Sequence, residues 1–443
     1  MQTSRIGGLL IVLALVAGPA AAADDKQDDG AVVNDILQVL KERGIVDEGE
    51  YQRMAAKNAR YEQEKEGFLP KIEWWGDFRF RHESFFYSRD DAGNDRNNRF
   101  RIRYRFRLSG KVNVNEYADV IFRLASGDND DRSTNQTLGS GPDFDTDDIR
   151  LDRAYAKLTA PQEWSPFGGK WVAEIGKVPN PFVWKEDEDY MLWDRDINPE
   201  GVSLRYKKNF SDATRTFANF GYYIIDENSR NSDPHMWGLQ GGVLHDLNED
   251  VTLGGRATYY EFRSVDGNFI ERGASGASGV TSAKGNVRDG IADGVPPGPI
   301  RVVHLTGVGK YKGFENWPIM AFAEWSKNLE ATSSSLFNAG SEDTAWGVGF
   351  EVGDKKKWVK LGFGYYHIEA NAFPAQFIDS DMFDGRTNQE GPVVYASRRI
   401  LKNTDLNLTV FSSDVIDGSI LPVSEQAQDS KRVRIMADMV FKF

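Results

Sequence analysis

From Ile72 to the C-terminus, apolar and polar residues alternate in short runs separated by turn residues. The clearest run is Arg99-Phe-Arg-Ile-Arg-Tyr-Arg-Phe-Arg-Leu108. Phe100, Ile102, Tyr104, Phe106 and Leu108 share one face, and Arg99, Arg101, Arg103, Arg105 and Arg107 share the other. Only a strand sends alternate side chains to opposite faces. A soluble sandwich would turn the apolar face into its core and the arginines to bulk water. A barrel in lipid would turn the same face to hydrocarbon and the arginines to a water-filled lumen.

The full set of runs separates these readings. Strands are expected near 72–86, 99–112, 116–126, 148–160, 170–177, 200–210, 213–226 and 236–246, then near 250–264, 299–313, 318–328, 343–353, 357–370, 391–402, 405–414 and 431–443. Sixteen is an even number, as single-chain bacterial barrels require. The connections alternate in length. Those at 112–115, 209–213, 247–250, 354–356 and 403–404 are short. Those at 86–98, 127–147, 178–199, 264–298, 330–342, 371–389 and 415–430 are long. Short periplasmic turns on one rim and long outer loops on the other mark an outer-membrane barrel, whereas a sandwich has no reason to keep such a rule. The expected fold is therefore all-β, a transmembrane antiparallel β-barrel of about 16 strands, with both termini periplasmic. In the last strand Val433, Ile435, Ala437, Met439, Phe441 and Phe443 form one apolar face, opposite Arg432, Arg434, Asp438 and Lys442. Trp74, Trp171, Trp237, Trp325, Trp346 and Trp358 fall near strand ends, where interfacial aromatic belts sit.

Ahead of the barrel the period changes. Val32, Val33, Ile36, Leu37, Val39 and Leu40 follow a rough 3.6 spacing, Gly44 breaks it, and Asp47 can cap a second, more polar helix to about Glu64. The domain plan is a signal peptide over 1–23, a periplasmic helical segment over 24–70 and an outer-membrane β-barrel over 71–443. The helical segment reads equally as an oligomerisation element or a loosely ordered arm, since fewer than three clean heptads are present. Arg5, the apolar stretch Ile6 to Val16 and the small residues Ala21 to Ala23 are the three parts of a secretory leader. Losing Arg5 with that leader makes the chain's net charge of −13 one unit more negative.

Composition narrows the function classes. With no Cys in 443 residues, disulfide scaffolds, thiolate metal sites and cysteine nucleophiles are excluded. The acidic balance argues against a nucleic-acid partner. Beyond residue 20 no apolar run reaches the length of a spanning helix.

The helical leader with Lys41-Glu-Arg-Gly-Ile45, the stretch Gly176-Lys-Val-Pro-Asn-Pro-Phe182, the stretch Trp193-Asp-Arg-Asp-Ile-Asn-Pro-Glu-Gly-Val202 and the terminal Phe443 resemble the bacterial putative porin family. These are Gram-negative outer-membrane proteins related to general and phosphate-selective porins. The resemblance spans roughly residues 30 to 443. It implies a passive pore in the cell outer membrane, often a homotrimer, with the third outer loop folded into the lumen. With that go outer-membrane lipid and lipopolysaccharide as surroundings, the barrel assembly machinery as a partner and Phe443 as assembly signal. No cofactor is expected.

Selectivity in such a pore comes from lumen width and from charge at the constriction. The expected pore-lining bases are Arg79, Arg81, Arg99, Arg101, Arg103, Arg105, Arg107, Arg123, Arg153 and Arg205, with Lys157 and Arg256 continuing the wall. The loop from Val178 to Pro199 is the expected constriction loop, carrying Glu186, Asp187, Glu188, Asp189, Asp194 and Asp196. An acidic loop facing an arginine wall would set a transverse field across the narrowest section, with a slight lean towards anions. The bland alternatives are a solvated wall and an ordinary charged surface loop.

Other motifs carry less. Asp143-Phe-Asp-Thr-Asp147 starts like a calcium loop, but position 6 is Asp148 and position 12 is Ala154, so only loose outer-surface binding fits. The five histidines are scattered without metal-ligand spacing, no metal site is expected, and no nucleophile elbow is present. A diffusion porin leads. A substrate-specific channel of anion or phosphate type is the alternative, and an outer-membrane barrel enzyme comes third.

Overall fold

The computed structural model describes residues 29–65, 72–87, 98–127, 131–141, 143–184, 191–227, 229, 233–264, 286, 300–331, 340–418 and 431–443. The leader expected over 1–23 lies outside them. The chain divides into two units, Met1–Lys71 and Ile72–Phe443.

In the first unit, α1 (Asp29–Glu42) and α2 (Glu48–Lys65) form a helical hairpin. Asp47 caps α2 by accepting the Glu50 N–H at 2.8 Å, while the Glu50 carboxylate accepts the Asp47 N–H at 3.2 Å. This reciprocal pair satisfies two donors that a helix start leaves open. Leu37 is buried, whereas Val33, Ile36 and Val39 are exposed.

The second unit is a closed antiparallel barrel. Its strands are β1 (Ile72–Tyr87), β2 (Arg99–Asn115), β3 (Ala118–Ser126), the two-residue β4 (Gln136–Thr137), β5 (Ile149–Thr159), β6 (Lys170–Lys177), β7 (Glu200–Asn209), β8 (Thr214–Ile224) and β9 (His235–Asp246). They continue with β10 (Val251–Arg263), β11 (Ile300–Tyr311), β12 (Ile319–Asn328), β13 (Thr344–Gly353), β14 (Lys360–Ile368), β15 (Gln389–Leu401), β16 (Thr404–Val415) and β17 (Arg432–Lys442). Each long strand pairs with the next, β3 pairs directly with β5, and β4 lies beside β2 past the end of β3. The sixteen long strands therefore make the ring, and β4 belongs to an inward loop. Asp77–Tyr87 of β1 pair with Lys442–Arg432 of β17, and closure removes the sheet edges that lipid could not solvate. Phe443 extends the seam: its carbonyl accepts the Gly76 N–H at 2.8 Å and its N–H donates to the Gly76 carbonyl at 3.1 Å.

The alternation in sequence is the alternation in space. Phe80, Phe100, Ile102, Val120, Leu204, Leu239, Leu253, Leu305, Val348 and Leu408 are exposed on the outer face, while Arg79, Arg81, Arg105 and Arg123 are buried inside. Trp74, Trp317 and Trp358 stand near the short-turn rim, and Trp325 and Trp346, cross-strand partners, stand near the long-loop rim.

Inside, the barrel is partly filled by its own loops. From the β6–β7 loop (178–199), Val178, Phe182, Met191, Leu192, Trp193 and Ile197 are buried. They pack with Ala372, Phe373, Ile378, Met382 and Phe383 of the β14–β15 loop (369–388) against Tyr223, Met236, Tyr260, Phe262, Ile300 and Val302 of the wall. Trp193 is the hub, stacked on Phe377 at 5.2 Å and edge-on to Phe373 and Tyr260 at 5.4 and 5.8 Å.

Candidate functional site

Two glycines let the β6–β7 loop enter and leave the lumen. Gly176 (φ +125°) and Gly201 (φ +154°) are cross-strand partners at its base. A Cβ at either would collide with a neighbouring backbone carbonyl, Ala154 O or Tyr222 O. Only glycine adopts this backbone without strain. Arg205 and Arg153 then hold the two ends. Arg205 donates to the Pro179 carbonyl at 2.9 Å and to Glu174 at 2.8 Å, and Arg153 donates to the Asn198 side chain at 2.6 Å.

Between the loops and the wall of β1, β2 and β14 to β17 lies a cavity of about 380 Å³, lined by eight basic and five acidic side chains. Arg79 and Arg81 of β1 and Arg105 and Arg107 of β2 form its basic wall. Asp77 at the short-turn end takes Arg105 and Arg107, each at 2.7 Å. Asp438 of β17 takes Arg81 at 2.7 Å. Facing them are Asp194 and Asp196 of the β6–β7 loop, and Asp379 and Asp381 of the β14–β15 loop. Asp196 meets Arg107 at 3.3 Å and accepts from the Thr134 hydroxyl at 3.0 Å. Asp381 meets Arg81 at 2.7 Å and Arg434 at 3.0 Å.

The two loops are stitched together by backbone bonds. The Asp194 N–H donates to the Phe377 carbonyl at 2.7 Å, and the Asp194 carboxylate accepts the N–H groups of Ser380 at 2.7 Å and Asp196 at 2.8 Å. Asp379 accepts the N–H groups of Asp381 at 2.8 Å and Met382 at 3.0 Å. Arg132 of the β3–β5 loop adds a third thread, donating to the carbonyls of Ala375 and Gly385, both at 3.2 Å. The four aspartates divide by partner. Arginines hold Asp196 and Asp381 far below the usual carboxylate range, against the cost of burial. Asp194 and Asp379 are held instead by backbone N–H groups. Burial, and the neighbouring aspartate charges, push Asp194 up and Asp379 up to about 6.

The residues expected from sequence are distributed as follows. Arg79, Arg81, Arg105 and Arg107 line the cavity, as do Asp194 and Asp196. Arg101 and Arg103 face inward but are taken up by Glu83. Arg103 also donates to the Asn135 carbonyl at 3.0 Å. Arg123 is paired with Asp152, so Arg123, Arg153 and Arg205 brace the loop instead of lining the cavity. Arg99 sits exposed at the long-loop end of β2, its guanidinium 6.0 Å from the Phe85 ring. Arg256 lies beneath the β6–β7 loop, donating to the Phe182 carbonyl at 2.8 Å. Glu186, Asp187, Glu188 and Asp189 lie outside the described residues. Asp147 of the calcium-like run is engaged by Tyr104 and Gln136, both at 2.6 Å, and no group among the described residues is arranged to hold a metal ion. Sequence reasoning missed Asp379, Asp381, Arg132 and the role of Arg434. The missed signal was the apolar content of 370–383, which an outer loop standing in water would not carry.

The family model described as "Putative porin" matches residues 89–288 and 298–429. The chain belongs to the putative porin family. No curated protein matches the sequence. Among solved structures, this porin is similar to OprB of Pseudomonas putida, in its high-pH structure. The TM-score is 0.52 with 10% identity, over 87% of this chain and 96% of that one. It also matches OmpF of Salmonella typhi in complex with daunomycin (TM-score 0.46, 12% identity, 84% and 97% covered). A third match is the outer membrane channel DcaP of Acinetobacter baumannii (TM-score 0.43, 12% identity, 84% and 97% covered). At these identities the first match supports the barrel fold alone. Family and fold together make the porin an outer-membrane channel protein.

Proposed function

We propose that the barrel is a water-filled pore for passive diffusion of small hydrophilic solutes and ions, with its constriction at the arginine-walled cavity. The observation that carries this is the opposition of charge: four arginines from β1 and β2 on one side, and four aspartates from two inward loops on the other. A transverse field of this kind orders dipolar solutes and water without closing the passage. The bases outnumber the acids at the constriction although the whole chain is acidic. Charge beyond a Debye length of ~8 Å counts for little there, so the pore favours anions weakly. A substrate-specific anion channel is the second reading, favoured by the small volume of the cavity. We also assign Phe443 to assembly, through recognition by the barrel assembly machinery, and expect a homotrimer set in outer-membrane lipid and lipopolysaccharide. Single-channel current of the detergent-purified protein in a planar bilayer, under a KCl gradient, tests the pore. Stable ohmic steps with a reversal potential of anion-selective sign are expected. Saturation of the current by one solute would favour the second reading. Absence of conductance from folded, heat-modifiable protein would overturn both.

A further inference from the structure

A second inward loop, apart from the expected constriction loop, is also tied to the barrel wall. The tie is made by Asp381 of the β14–β15 loop. Its carboxylate accepts from Arg81 Nη1 at 2.7 and 2.9 Å and from Arg434 Nη2 at 3.0 Å, while the Arg434 guanidinium also donates to the Asp381 and Ser380 carbonyls, both at 2.9 Å. Arg81 and Arg434 come from β1 and β17, the two strands of the seam, and Arg81 and Asp381 both line the cavity. The wall around this point is rich in positive charge. Arg81, Arg101, Arg103 and Arg434 all converge on the single buried carboxylate of Glu83. Glu83 cannot neutralise four guanidinium groups. The remaining compensation comes from Asp438 for Arg81, from Asp381 for Arg81 and Arg434 together, and more distantly from Asp384 for Arg434 at 3.7 Å.

The geometry points to Asp381 as the residue that sets the charge selectivity of the lumen: it caps the Arg81–Arg434 pair so that a small passing oxyanion, a carboxylate or a phosphate, is not trapped there. Asp196, the corresponding group on the β6–β7 loop, is coupled less tightly. It reaches one arginine at 3.3 Å, and that arginine is already taken by Asp77 at 2.7 Å. Removing the Asp381 charge therefore uncovers more positive potential in the cavity than removing that of Asp196. Asp381 can play this part only in a conducting barrel, the reading proposed above.

The test compares full-length wild type, Asp381→Asn, Asp196→Asn and Arg434→Gln in planar bilayers under a KCl gradient, after each passes a heat-modifiability check for the folded barrel. One charge about 6 Å from the ion path in water weighs roughly threefold on each ion and in opposite directions for anion and cation, so about tenfold in the permeability ratio. Asp381→Asn should raise the chloride-to-potassium permeability ratio by about that factor, and by more than Asp196→Asn does. It should also make the current blockable by millimolar inorganic phosphate that leaves wild type conducting. Arg434→Gln should shift the ratio the opposite way. A folded Asp381→Asn channel with the wild-type ratio overturns the assignment. If that variant does not fold, an unchanged ratio in Arg434→Gln overturns it instead. A conducting wild type with insensitive variants leaves the channel reading standing, whereas a folded wild type that passes no current removes both.

Discussion

The interior of this barrel has two sides built on different physics. On one, β17, β1 and β2 present arginines and carboxylates around open space. On the other, β8 to β11 present Tyr223, Met236, Tyr260, Phe262, Ile300 and Val302 to loops that pack on them like the core of a soluble protein. Both faces point away from lipid, and both come from strands of similar length. What differs is the company the inward residues keep. Apolar inward residues recruit apolar loop segments and exclude water, so the space is filled. Charged inward residues are satisfied by partners at fixed distances and by water, so space remains. In the proposed pore the passage is therefore eccentric, running along the charged side, with a width set by how firmly the packed side holds the loops in place.

That contrast predicts separable effects. The largest should come from Trp193→Ala on the packed side. Truncating a fully buried aromatic hub costs ~3–5 kcal/mol, measured as a lower urea midpoint for loss of the heat-modifiable band. Looser loops should raise conductance while leaving the sign of ion selectivity unchanged. A reversal of sign would break the division of labour. Next comes the hinge: Gly201→Ala forces a side chain into a backbone conformation that costs ~1–3 kcal/mol, and the same urea titration should report it.

Acidity should act on the charged side alone. Asp379, held up at about 6 by burial and by the Asp381 charge, is ionised above that pH and neutral below it. The constriction thus gains positive charge as pH falls through about 6, and the chloride-to-potassium ratio should rise there. Asp379→Asn should flatten that step. The linked stability has the matching sign. A carboxyl whose folded value lies above its ordinary 3.8 favours the fold most below that pH, and loses the contribution as pH rises through about 6. The smallest effect is expected from Arg99→Gln at the exposed rim. It should leave selectivity unchanged and move stability by no more than ~0.5 kcal/mol, which the bilayer and urea measurements check together.

The barrel was legible in the sequence because a period of two, repeated with alternating connection lengths, has one physical solution in lipid. The helix pair was legible for a related reason, through Gly44 and the Asp47 cap. The site was legible only in part. Arg79, Arg81, Arg105 and Arg107 sit on strands, where alternation alone fixes the direction of the side chain. Alternation does not fix depth, so Arg99 on the same face ends at the rim. Asp194 and Asp196 were found because their loop follows the fifth expected strand, where the family resemblance puts an inward loop, and carries a run of acids. Asp379 and Asp381 were passed over because a loop's path depends on distant partners. Phe373, Phe377, Ile378, Met382 and Phe383 have meaning only once Trp193 and Tyr260 are seen opposite them.

The seam also bears on how the molecule comes to exist. Arg81 finds Asp381 and Asp438 across 300 and 357 residues of chain, so the first strand waits for nearly the whole polypeptide before its inward charges are met. Contacts of such high order are slow to form. A chain arrested before β17 would lack Asp438, the partner of Arg81, and would leave the β1 edge unpaired on that side. The step that closes the cylinder is thus also the step that covers a row of backbone groups lipid cannot solvate. A barrel stalled one strand short should be an unstable, quality-controlled species instead of a leaky channel.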